Sequence, residues 1–172
     1  MTQVEIGNKI LELFNKKREK ANTKFDESHF LDYLTFPPKN KGQIKNSFKG
    51  VRKYYRFMDS LEIEFSICFT LSDLDNPYYS VEQLTKKVQE RINKRKGNLI
   101  IIKQRIAEKD KYYFEFLLIL ILTTAFFIFK TYWIPLLIAI IFSPIFYWIT
   151  MSKINNRKHN KELYKKIING KL

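Results

Sequence analysis

Two apolar runs near the C-terminal end constrain this chain more than any other feature. From Phe116 to Phe129 the sequence reads FLLILILTTAFFIF, and after Lys130 and Thr131 it resumes as YWIPLLIAIIFSPIFYWIT through Thr150. Crossing roughly 30 Å of hydrocarbon takes about 20 apolar residues, and aromatic flanks bring each run near that length. The expected arrangement is a transmembrane helical hairpin, residues 107–151, with spans at about 112–129 and 133–151 and its tip at Lys130 and Thr131. Tyr112, Tyr113, Tyr147 and Trp148 would share one headgroup layer and Tyr132 and Trp133 the opposite one, because amphipathic rings settle at membrane interfaces. Pro135 falls in the opening turn of the second run, where a missing N–H costs little. A buried hairpin in a soluble protein is the competing reading, but a domain this small could not cover two such helices.

Charge sets the expected orientation. Residues 1–111 hold 23 Lys and Arg against 15 Asp and Glu, residues 152–172 hold seven against one, and the tip holds one Lys. The positive-inside rule then places both termini in the cytoplasm, as in a multi-pass protein of the inner membrane. Residues 1–20 are charged and amphipathic, with no apolar core of the kind a cleavable signal needs, so the spans themselves are expected to direct insertion. Within the spans, Thr123, Thr124 and Ser143 are candidate pore-lining or helix-interface residues, and Pro144 frees a backbone carbonyl. Glu115, at the cytoplasmic edge, is expected to reach water or pair with Lys111.

Residues 1–106 read as a basic α+β domain. Thr2 and Glu5 have capping-box spacing ahead of the stripe Ile6, Ile10, Leu13 and Phe14, which predicts a helix to about Ala21. Asp26 caps a short helix carrying Phe30, Leu31 and Leu34, ended by Pro37-Pro38. A third helix, from about Lys41 to Met58, sets Ile44, Phe48, Val51, Tyr55 and Met58 on one side, with Lys45, Lys49, Arg52, Lys53 and Arg56 about 125° away. Strict alternation from Leu61 to Leu71 predicts a strand with Cys68 on its polar face, an inert thiol rather than a nucleophile. A turn at Asp73–Pro77 leads to a helix opened by Ser80 and Gln83 and closed by Gly97; its surface carries a second basic cluster that includes Lys87 and Arg91. Leu99 to Ile102 predicts a second strand. Two strands leave open edges, which argues for a homo-oligomer.

Catalytic chemistry finds no footing in the sequence. No P-loop, no G-x-G-x-x-G, no nucleophile elbow and no metal-spaced His/Asp/Glu cluster occurs, so neither an enzyme nor a cofactor is expected. His29 and His159 read as surface residues. The basic groups carry more meaning. Lys45, Lys49, Arg52, Lys53, Arg56, Lys87 and Arg91, with tyrosines nearby, make a candidate anion site for a nucleotide, an oligonucleotide or nucleic acid. A solvated surface accounts for these charges equally well. In the tail, 152–172, the lysines beside the second run are expected to meet anionic lipid headgroups.

This layout, a basic soluble domain followed by a minimal membrane hairpin, is similar to that of small two-transmembrane effectors of bacterial anti-phage defence. The resemblance implies oligomerisation or gating in response to infection, often through a nucleotide signal, and then ion leakage or loss of membrane integrity. The expected function is thus an oligomeric membrane effector, a gated ion channel or disrupting pore. Its rival is a membrane-tethered binding or scaffold protein that holds nucleic acid or a protein partner at the inner membrane.

Overall fold

The computed structural model describes residues 1–21, 23–35, 42, 44–108, 112–129 and 132–170. Seven α-helices occur among them: α1 (Gln3–Lys17), α2 (Phe48–Phe65), α3 (Leu71–Asp75), α4 (Val81–Asn93), α5 (Arg95–Ala107), α6 (Tyr113–Phe129) and α7 (Trp133–Asn169), with 3₁₀ segments at Glu27–Leu34 and Ile44–Asn46. The chain divides into two compact units. A helical unit comprises Met1–Arg105 with Lys161–Leu172, and an apolar unit comprises Ile106–Asn160.

Helix starts are written locally, and the sequence marks them well. Thr2 accepts from the Glu5 N–H while Glu5 accepts from the Thr2 N–H, closing the predicted box on α1. Asp26 caps the first 3₁₀ segment, and Ser80 with Gln83 closes the same kind of box on α4. Thr70 with Asp73 does so on α3, a helix lying where a simple turn was expected. The predicted end at Pro37-Pro38, a helix start at Lys41 and the hairpin tip at Lys130 and Thr131 lie outside the described residues. Helix α2 begins later, with Ser47 as its cap. Gly97 closes nothing, since α4 stops at Lys94 and Gly97 lies inside α5.

The α+β expectation is overturned: among the described residues there is no β-strand, and the fold is all-helical. Leu61 to Phe65 is the end of α2, because Tyr54, Phe57, Met58, Leu61 and Phe65 continue its buried face at helical spacing. Ser66, in the left-handed region at φ 53°, then turns the chain, and 67–70 lead without helix or strand into α3. An alternation of five residues fits both periods, and Glu62, which alternation placed outside, is buried by an ionic partner far away in sequence. Leu99 to Ile102 belongs to α5, where Ile102 is buried and Leu99 half-buried beside Cys68 and Leu163. Without a sheet, open edges no longer argue for self-association.

The two-span hairpin is corrected as well. Among the described residues one helix, α7, is long and apolar enough to cross a membrane. Helix α6 has 17 residues, a rise of about 26 Å, and Glu115 in its first turn shortens the apolar part further.

Helix α1 packs on α2 and α4, and α2 on both 3₁₀ segments. Phe14 sits at the centre of this core, with the rings of Phe25, Phe30 and Phe57 at 4.9, 5.1 and 6.3 Å, the first tilted and the other two edge-on, contacts that add to simple burial. Close packing also decides Gly50. A Cβ there would stand 1.9 Å from the Ile44 carbonyl oxygen. Gly50→Ala is expected to cost about 1–3 kcal/mol by overpacking and to lower the thermal midpoint by several degrees, read by circular dichroism; an unchanged midpoint would show that the backbone yields freely there.

Candidate functional site

In the apolar unit, exposure is the defining property. No residue of the 18-residue apolar window of α7 is buried. Phe116, Ile119, Leu120, Phe127, Leu137, Ile140 and Ile141 are all exposed, whereas Leu118 and Ala125, seven residues apart on α6, are buried. Such contiguous apolar surface marks a membrane or protein contact rather than a solvated face. The six expected interface aromatics, Tyr112, Tyr113, Tyr132, Trp133, Tyr147 and Trp148, are exposed too. One polar knot joins the two helices: Lys153 pairs with Glu115, and its ammonium lies 4.6 Å from the Tyr112 ring centroid. Lys153, rather than the expected Lys111, is thus the partner that neutralises Glu115; Lys111 lies outside the described residues.

The candidate lining hydroxyls are spent on their own helices. Thr123 donates to the Ile119 carbonyl and Thr124 to the Leu120 carbonyl, both at 2.8 Å, the usual back-bond of a hydroxyl in an apolar helix. Ser143 has a sharper local task. Pro144 inside α7 has no N–H to give the carbonyl four residues back, and Ser143 Oγ donates to that carbonyl, Ile140 O, at 3.2 Å. The Ser-Pro pair therefore carries its own repair.

In the helical unit, the two basic clusters converge on one short segment. Lys45 donates to the Leu74 carbonyl at 2.8 Å, its ammonium 5.0 Å from the Tyr54 ring centroid. Tyr54 Oη donates to the Leu74 and Asn76 carbonyls at 3.0 and 3.1 Å. From the other side, Arg91 pairs with Asp73 and donates to Thr70 Oγ1, while Lys87 stands 3.5 Å from Asp73 and 3.0 Å from Glu90. Lys49 and Lys53 share Glu19, at 2.6 and 3.2 Å. Most of the expected anion-site residues thus have anions or carbonyls of this chain as partners. Arg52 and Arg56 are exposed, and their side chains have no partner among the described residues.

Asp73 was missed as a site residue, because nothing in a turn-like stretch announces a buried carboxylate. Burial alone would raise its pKa, but hydrogen bonds from the Thr70 backbone and hydroxyl, with the Arg91 charge, outweigh that and hold it below the ordinary carboxylate value. The folded carboxyl therefore binds its proton less readily than the unfolded one. Its stabilising contribution is complete above about pH 4 and drains away as pH falls through the lowered value. Asp73→Asn is accordingly expected to flatten the acid limb of a stability-against-pH curve; an unaltered limb would remove Asp73 from the account.

Burial, with the Glu62 charge adding to it, pushes the Cys68 thiol up to about 12. Cys68 is buried, which suits the inert thiol expected of it. No family model, curated protein or solved structure matches this chain.

Proposed function

We propose that this chain works at a bilayer as a membrane-tethered binding module. Its apolar unit, through α7, seats in the bilayer, and its basic helical unit engages an anionic partner. The exposed apolar surface of α7 carries this reading. In water, its apolar window would leave several hundred Å² of apolar side chain solvated, at roughly 25 cal/mol for each Å². The basic excess of both flanks favours the cytoplasmic face.

The tether is preferred over a gated channel because Thr123, Thr124 and Ser143, the candidate lining residues, satisfy themselves within their helices. Flotation of the purified chain with zwitterionic liposomes tests the tether. Protein that floats with the vesicles and stays bound in about 1 M salt, where the Debye length is near 3 Å, supports it. Protein that remains at the bottom without detergent overturns it. Steady conductance of the same proteoliposomes in planar bilayers would move the reading to a channel.

A further inference from the structure

The helical unit encloses a cavity of about 380 Å³, within the size range of small-ligand sites. Its walls come from the end of α2 and the turn after it, the end of α4, the start of α5 and the last turn of α7. Phe65, Ile67, Ile92, Leu99 and Ile167 make it apolar. Asn98 also reaches it, but its amide is already committed: Oδ1 accepts from the Cys68 N–H at 3.2 Å and Nδ2 donates to the Arg91 carbonyl at 2.7 Å. The interior therefore asks for an apolar occupant.

The mouth asks for something else. Arg95 and Lys96 line it, both exposed, and among the described residues neither side chain has an acidic partner. No acid is among the residues that line the cavity. Several other basic side chains of this unit are matched, Lys49 and Lys53 by Glu19, Lys87 and Arg91 by Asp73, Arg105 by Glu62. An apolar chamber with a two-cation rim is complementary to a molecule that is greasy at one end and anionic at the other. The rim lies in the first turn of α5, so the positive end of that helix dipole adds to the same preference.

We propose that this cavity binds an amphiphilic anion, a single acyl chain ending in a carboxylate or a phosphate monoester, with the chain between Phe65, Leu99 and Ile167 and the head on Arg95 and Lys96. The occupant would rest against Ile167 in the last turn of α7. Binding would thus add to whatever holds that turn to the helical unit.

The test uses the full chain in phosphatidylcholine nanodiscs and three diazirine-bearing C16 probes: the fatty acid, the lysophosphatidic acid and the fatty acid methyl ester. After photolysis, labelled peptides are mapped by mass spectrometry. The expected result is label on peptides containing Phe65–Ile67 and Arg95–Leu99 with one or both anionic probes, about tenfold less with the ester, the order set by losing a charge-assisted contact. Whichever acid labels more identifies the head group. Arg95→Glu with Lys96→Glu, both at exposed positions, should lower that label by a similar factor, and Leu99→Trp, which fills the chamber, should abolish it in protein of unchanged circular dichroism. Label on residues 113–151 reports contact with lipid and is independent of the cavity, so failure of the tether and failure of the cavity are separately visible. Equal labelling of the cavity by acid and ester, or label confined to 113–151, would overturn the proposal.

Discussion

Arg105→Ala is expected to destabilise the helical unit by about 3 kcal/mol, the largest loss of any single exchange outside its aromatic core. Glu62 lies in the last turns of α2 with its side chain 2% exposed, and its carboxylate meets the Arg105 guanidinium through two hydrogen bonds of 3.0 Å. The same carboxylate accepts the Phe69 N–H at 2.7 Å, and Arg105 also donates to the Phe69 carbonyl. One ion pair thus fastens the connecting segment 67–70 at both Phe69 backbone groups. Removing one partner of a buried pair leaves a charge uncompensated, at about 3–5 kcal/mol. Arg105 is about a quarter exposed, so water can reach toward the carboxylate that loses the guanidinium, and the Phe69 N–H still serves it, so the low end of that range applies. The double variant Glu62→Gln with Arg105→Met should regain most of the loss, because the amide oxygen still serves the Phe69 N–H and no charge is left unpaired. Urea unfolding followed by circular dichroism reads both values. A single variant within about 0.5 kcal/mol of the parent, the spread of ordinary surface exchanges, would show that the pair holds nothing.

The same residues show what could be read from the chain and what could not. Helix starts at Thr2, Asp26 and Ser80 were legible because a cap and its helix are separated by three residues at most. The inward faces of α1 and α4 were legible for a similar reason, each being long enough to hold one period. From 61 to 71 the sequence alternates, and the fold does not follow it. Glu62 is stabilised inside by Arg105, 43 residues away, and no local pattern reports a partner at that distance. The basic stripe expected from Lys45 to Arg56 misled in a related manner. Lys45, Lys49 and Lys53 look uncompensated because no acid lies between Tyr33 and Met58, yet the fold brings Glu19 and the Leu74 carbonyl to them. Charge balance in sequence is not charge balance in space. The cavity left even less trace, since its walls come from four separate stretches, while Arg95 and Lys96 read as two more cations in a basic run.

Ile141→Asp should weaken partition into liposomes about a hundredfold while leaving both units folded. Ile141 lies near the middle of the apolar half of α7 and is 66% exposed, so the exchange removes little packing within the chain. In hydrocarbon, an aspartate at the centre of a spanning helix costs about 2.5–3.5 kcal/mol, and 1.4 kcal/mol is a factor of ten in equilibrium. Asn155→Asp, an exposed exchange in the polar half of the same helix, adds the same charge outside the apolar window. It should cost no more than about 1 kcal/mol on anionic vesicles and nearly nothing on zwitterionic ones. The contrast between the two positions separates insertion from electrostatic adsorption. If lipid is the solvent of α7, Ile141→Asp falls far below Asn155→Asp on zwitterionic vesicles. If charge alone draws the chain to membranes, the two variants lose binding equally on anionic vesicles, and neither they nor the parent floats with zwitterionic ones.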